Sequence, residues 1–127
     1  MGRGVLKKSC GQLEAEISDV ITRFEKEHTG RGPLETRTHI IEDMVIVRQK
    51  GALTRSELAL VKHGETDRVR DLIKQMRCEI IESHRSMLED LVRGILRRKV
   101  RSLFTDLSTV TGEKIIIFTL DRIPEFE

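Results

Sequence analysis

Hydrophobic residues recur along this chain with two different periods, and the change from one period to the other divides it into elements. Leu13, Ile17, Val20, Ile21 and Phe24 follow three- and four-residue spacing, with Glu14, Glu16, Asp19, Arg23 and Lys26 between them. That pattern predicts an amphipathic helix over 13–28. Gly30, Gly32 and Pro33 then end it, because glycine tolerates the left-handed turn after a helix and proline cannot continue one. Beyond Pro33 come Thr36, Thr38, Ile40, Ile41 and the run Met44-Val45-Ile46-Val47, closed by Gly51. These residues predict one strand over 36–48, buried on both faces in its second half.

Thr54-Arg55-Ser56-Glu57 sets a threonine three residues ahead of a glutamate, the spacing of a capping box, so a short helix starts there and closes near Gly64. From Asp67 to Arg97 the stripe Val69, Leu72, Ile73, Met76, Ile80, Met87, Leu88, Leu91, Val92 and Ile95 runs without proline, apart from an interruption at Ser83 and His84. It predicts a single long helix of roughly 45 Å. Val100–Thr105 and Lys114–Leu120 read as two strands joined through the turn-forming stretch 106–113.

The fold class expected from this order is α+β: a three-stranded sheet from 36–48, 99–106 and 113–121, with an N-terminal helix, a short helix and a long helix packed on it. Residues 1–127 make one domain, with 1–10 expected to be flexible. Leu13, Ile17, Phe24, Val45, Val47, Leu72, Met76, Leu91, Phe104, Ile116 and Phe118 are the expected core. A helix that long overhangs so small a sheet, which points to a homodimer or dimer-based assembly through the long helix.

Composition narrows the functional classes. The 127 residues carry 35% charged side chains, above the usual share of about a quarter. The 23 basic and 21 acidic residues nearly cancel, at net +2, so a general polyanion partner is not expected. Four Phe and no Trp or Tyr leave few rings for stacking on bases, which further disfavours nucleic acid. Two cysteines without a disulfide framework, and no apolar leader after the basic start, suggest a cytoplasmic protein, at most peripheral at the inner face of a membrane.

Candidate chemistry is sparse. Neither the four histidines nor Cys10 and Cys78 show metal-site spacing, and no Gly-x-Ser-x-Gly elbow positions a nucleophile, so the sequence reads as a non-enzyme with no catalytic residue, metal or cofactor. Gly30, Arg31, Gly32 and Arg37 are candidates for binding a small anion, since such a turn can aim successive backbone N–H groups at one ligand. Arg93, Arg97, Arg98, Lys99 and Arg101 form the dense basic cluster and are candidates for an acidic partner or an anionic surface.

His28-Thr29-Gly30-Arg31-Gly32-Pro33, Arg37-Thr38, Asp43-Met44-Val45 and Gly51-x-Leu53-Thr54-x-x-Glu57-x-x-Leu60-Val61-x-x-Gly64 together resemble the MpsC-like family, over about residues 13–121. That family is described as the soluble component of a Na+-translocating, membrane-potential-generating system. Phe104-Thr105-Asp106 and Phe118-Thr119-Leu120-Asp121 resemble it too. One segment departs: where the family pattern has Thr-Gly-Arg-Lys at the end of the long helix, this chain has Leu96-Arg97-Arg98-Lys99. The resemblance implies an accessory or regulatory protein linked to membrane transport of Na+ or inorganic carbon, with membrane transporter subunits as partners and no catalytic residues. The alternatives are a small-anion sensor and a KH-like RNA-binding module, whose second loop glycine would fall at Asp67 after Lys62-His63-Gly64-Glu65.

Overall fold

Ser9 opens the first helix. Its hydroxyl accepts the Gln12 amide hydrogen at 3.2 Å, while the Gln12 side chain accepts the Ser9 N–H at 2.8 Å. This reciprocal capping box starts helix α1 (Cys10–Thr29) three residues before the first residue of the apolar stripe. The computed structural model describes residues 5–63 and 67–127. α1 ends as its sequence predicts, at Gly30 with φ 79°, whose N–H donates to the Lys26 carbonyl at 3.1 Å.

The single strand expected over 36–48 is two strands. β2 (Glu35–Ile41) and β3 (Met44–Lys50) pair antiparallel across a two-residue turn at Glu42-Asp43, with Glu42 at φ 54°. The run of β-branched residues hid the turn, yet in a continuous strand one of the two adjacent carboxylates would have to point into the core. β3 is not buried on both faces either: Val45, Val47 and Gln49 point into the core and Arg48 and Lys50 lie exposed.

Helix α2 (Arg55–His63) starts on the predicted capping box, with Thr54 N–H donating to Glu57 Oε1 at 2.8 Å and Glu57 N–H to Thr54 Oγ1 at 3.2 Å. Gly64, where this helix was expected to close, lies outside the described residues. The long helix is divided into α3 (Asp67–Ser83) and α4 (Arg85–Leu96). At the break His84 has φ −111° and ψ 20°. Its Nδ1 lies 2.8 Å from the Ile80 carbonyl, and Ser83 Oγ donates to the same oxygen at 3.3 Å, so side chains occupy the acceptor a continuous helix would give to the His84 N–H. That N–H donates to Ile81 instead, at 3.2 Å, and the α-helical ladder stops.

β4 (Val100–Leu107) and β5 (Lys114–Leu120) form the expected hairpin. The sheet therefore has four antiparallel-paired strands in the order β2-β3-β5-β4, not three. The chain leaves β3 through the three helices, enters the far edge as β4, and returns as β5 between them. Near the chain ends β1 (Val5–Leu6) pairs parallel with β6 (Glu125–Phe126).

All the helical packing is on one sheet face. Val45, Val47, Ile116, Phe118, Leu120 and Leu103 meet Leu13, Ile17, Ile21 and Phe24 of α1 and Leu88, Val92 and Leu96 of α4. Ala52, Leu53, Ile73 and Leu107 make a smaller cluster under α2 and α3. Three expected core residues lie outside this set: Leu72, Met76 and Phe104 are 54%, 49% and 57% exposed, and Leu91 is half-buried. The inward face of α3 is Ile73, Arg77 and Ile81, spaced by four, so Leu72 and Met76 sit about 100° round the helix from it. A charged residue holding the central inward position misdirected the hydrophobic pattern.

Candidate functional site

Five elements each send one polar side chain to a common place beneath the helices. Glu25 comes from the end of α1, Gln49 from β3, Glu57 from the first turn of α2, Arg77 from the middle of α3 and Lys114 from the start of β5, and each is at most 6% exposed. Lys114 Nζ donates to Glu25 Oε1. Arg77 Nη1 donates to Glu57 Oε1 at 3.0 Å and Nη2 to the Ala52 carbonyl at 2.6 Å, with Glu25 Oε2 3.7 Å away. Two carboxylates and two cations thus cancel inside the fold. Burial pulls the Lys114 ammonium below its ordinary value of 10.5, and the adjacent Glu25 carboxylate opposes that. The Gln49 amide has no hydrogen-bond partner among the described residues, and neither does Glu57 Oε2 or Arg77 Nε.

A cleft of about 290 Å³ opens on this centre, lined by His28, Thr29, Thr54, Glu57, Met76, Arg77 and Ile80. At its rim the His28 ring stacks on Phe24 with centroids 4.3 Å apart and meets the His84 ring edge-on at 4.1 Å. Both Nδ1 atoms lie against backbone carbonyls one helical turn back, so each ring is fixed in orientation. Among the described residues no three His, Cys, Asp or Glu side chains converge as a metal site.

The candidate anion-binding residues are not gathered round one point. Gly30 is the helix cap, and Arg31 Nη1 donates to the Leu53 carbonyl at 3.1 Å, tying the turn to the segment before α2. A Cβ on Gly32 would meet Lys26 Cγ at 3.0 Å. Arg37 lies on the opposite, helix-free face of the sheet, where Nε donates to Glu35 at 3.1 Å. The loop weighed for KH-like binding includes residues 64–66, outside the described residues.

The basic cluster splits as well. Arg98 is 4% exposed, and its guanidinium donates to the carbonyls of Ile123 at 3.2 Å and Arg97 at 2.9 Å, so it is a strut rather than a surface charge. Arg93 lies 3.7 Å from Asp90. Arg97, Lys99 and Arg101 are exposed and have no ion-pair partner among the described residues. Arg97 caps α4 in the left-handed conformation, φ 56° and ψ 38°, a conformation that favours glycine. The Lys99 N–H donates to the Asp121 carboxylate at 3.0 Å and the Asp121 N–H to the Lys99 carbonyl at 2.9 Å, bringing the exposed Arg122 to the same corner.

The segments that carry the sequence signature converge here: Arg31 of the Gly-Arg-Gly-Pro turn binds Leu53, and Glu57 of the second segment binds Arg77. Gly51 has φ 63°, and a Cβ there would lie 2.5 Å from Leu34 Cγ, so this position requires glycine. A family model described as "Na+-translocating membrane potential-generating system (MpsC)" matches residues 9–122. The chain belongs to the MpsC family. It is 43% identical over 117 residues to the uncharacterized protein YbcI of Bacillus subtilis strain 168, covering 91% of this chain and 90% of that protein. It is 24% identical over 108 residues to the uncharacterized protein YrhF of the same organism, covering 84% and 86% respectively. No solved structure matches the chain. No helix among the described residues is long and apolar enough to cross a membrane.

Sequence reasoning missed the buried polar centre, although strand parity carried the signal. Gln49 shares parity with Val45 and Val47, and Lys114 with Ile116 and Phe118, so both had to point inward. Arg77 likewise sits four residues from both Ile73 and Ile81.

Proposed function

We propose that this protein is a non-catalytic accessory component of a sodium-linked membrane transport system, acting from the cytoplasmic side and docking on membrane-embedded subunits through the corner formed by Arg97, Lys99, Arg101 and Arg122. The family description supplies the system. The observation that carries the docking surface is that Arg97, Lys99 and Arg101 stand exposed within five residues of one another, at the junction of α4 and β4, with no carboxylate partner among the described residues. Glu25, Glu57, Arg77 and Lys114 are turned inward and neutralise one another.

Each basic residue close to an anionic membrane surface contributes about 1 kcal/mol, so three or four give an attachment that is real but strongly salt-dependent. Affinity capture from gently solubilised native membranes tests the reading. The expected result is a membrane-embedded partner whose recovery falls when Arg97, Lys99 and Arg101 are all changed to Glu. Capture that recovers no membrane-embedded protein from membranes retaining intact transport complexes overturns it.

A further inference from the structure

The second face of the sheet carries no helix. Its side chains lie in rows set by the strand register, and two of those rows are His39, Ile46, Ile117, Phe104 and Ile41, Met44, Thr119, Ser102, read from β2 through β3 and β5 to β4. Phe104 and Ile41 are 57% and 55% exposed, an aromatic and an aliphatic side chain left in water on a flat surface. The next row is Arg37, Arg48, Ile115, Asp106, with a cation at one edge of the sheet and an anion at the other.

This distribution is self-complementary under one particular two-fold axis. An axis parallel to the strands, midway between two facing sheets, keeps every row at its own height and reverses the strand order. β2 then lies over the partner's β4, and β3 over the partner's β5. Arg37 meets the partner's Asp106, Ile46 meets the partner's Ile117, and His39 meets the partner's Phe104. The Arg37–Asp106 match occurs twice by symmetry. The same axis sets Arg48 over the partner's Ile115. An in-plane axis across the strands instead stacks each strand on its own copy and, centred on the Ile46 row, sets Arg37 over the partner's Ile41 and Asp106 over the partner's Ser102, with no opposite charges matched.

We propose that the helix-free sheet face is the interface of a homodimer, two copies packed face to face about an axis parallel to the strands. Arg37 and Asp106 have side chains 69% exposed, so both can turn to a partner despite their contacts with Glu35 and Lys74. Asp106 borders a cleft of about 530 Å³, lined also by Arg48, Lys74 and Glu113, with room for an entering guanidinium. Four strands of seven or eight residues give a flat footprint of about 450 Å² before side-chain relief is counted. That is the low end for a specific contact, where a standard interface buries about 800 Å² of accessible surface per partner, so association on the order of micromolar is expected.

This interface replaces the one expected through the long helix. Breaking that helix at His84 lets Ile73 and Leu88 reach the protein's own core, which shortens the overhang that argued for helix-mediated pairing, although Leu72, Met76 and Met87 stay exposed. It is independent of the basic corner, which lies at the junction of α4 and β4.

Sedimentation equilibrium across about 1–200 µM tests the proposal, a range bracketing the expected affinity. The wild type should approach twice its 14.6 kDa monomer mass. Phe104→Glu should remain monomeric, with circular dichroism confirming the fold. Arg37→Asp and Asp106→Arg should each weaken association about tenfold or more, and the two together should restore it, because the pair re-forms with its charges exchanged. A monomer throughout the range overturns the proposal. So does a dimer that survives Phe104→Glu, one lost in Leu72→Glu but not in Phe104→Glu, or a double variant no better than the singles.

Discussion

Replacing Lys114 with Met removes one cation from a buried group that is neutral as a whole. Glu25, 1% exposed, then keeps only Arg77 at 3.7 Å, which already serves Glu57 at 3.0 Å, so the centre carries an uncompensated negative charge. Breaking a buried pair from one side costs about 3–5 kcal/mol, against a total stability of roughly 5–15 kcal/mol for a domain of this kind. The opposite single change, Glu25→Leu, should be milder, because burial already pulls the Lys114 ammonium down and the group can shed its proton. Its pH dependence has a definite sign. With the folded-state value below the unfolded 10.5, the unfolded chain holds the proton more firmly, so folding gains as pH rises through the folded value towards 10.5. The cost of Glu25→Leu should therefore shrink as pH rises towards 10.5. The double variant should return to within about 1 kcal/mol of wild type, since apolar replacement of a whole buried pair is often neutral. Urea unfolding of all four proteins, with slopes compared, measures the cycle. A cost below about 1 kcal/mol for Lys114→Met, or a double variant as unstable as the two singles summed, would refute the reasoning.

Arg97→Gly should stabilise the fold by about 1 kcal/mol, because a residue with a Cβ is strained at φ 56° and glycine is not; thermal unfolding reads the gain. Leu88→Ala should cost about 2–5 kcal/mol, since Leu88 is fully buried. Leu72→Ala, at a position 54% exposed, should stay within about 0.5 kcal/mol of wild type in the same urea assay.

Elements whose signals are local were legible from the sequence. α1 followed from its apolar spacing and its Gly30 stop, α2 from the Thr54-Glu57 box, and the β4–β5 hairpin from β-branched runs around a Ser/Thr/Gly turn. What failed depended on partners distant in sequence, or on residues with two readings. Glu42-Asp43 could be solvent-facing strand residues or a turn, and only the pairing of Thr38 with Val47 makes them a turn. Ser83 and His84 were visible as an interruption, but not as side chains competing for the Ile80 carbonyl. Of the candidate site residues, Arg97, Lys99 and Arg101 stand on the surface, while Arg98 is turned in towards Ile123, a partner 25 residues away. Lys114 and Glu25 are 89 residues apart, and no local pattern announces such a pair.

The buried charges and the helix-free face are set by one and the same strand register. In β5 the inward residues Lys114, Ile116, Phe118 and Leu120 alternate with the outward Ile115, Ile117 and Thr119. Both sets are largely apolar, so hydrophobicity alone separates them weakly, and a slip of one residue would simply exchange them. The ions make the separation sharp. After such a slip Ile115 would stand where Lys114 now meets Glu25, leaving a buried carboxylate short of its cation at a cost of about 3–5 kcal/mol. The same slip would turn Phe118 into water and take Ile117 out of the row it forms with Ile46 and Phe104. The Glu25–Lys114 pair thus adds little to stability over a well-packed apolar pair, yet it discriminates against the alternative register. Variants that remove both charges should fold stably and yet hold Ile117 outward less uniformly. The sheet face would then lose its self-complementary order before the domain loses its stability.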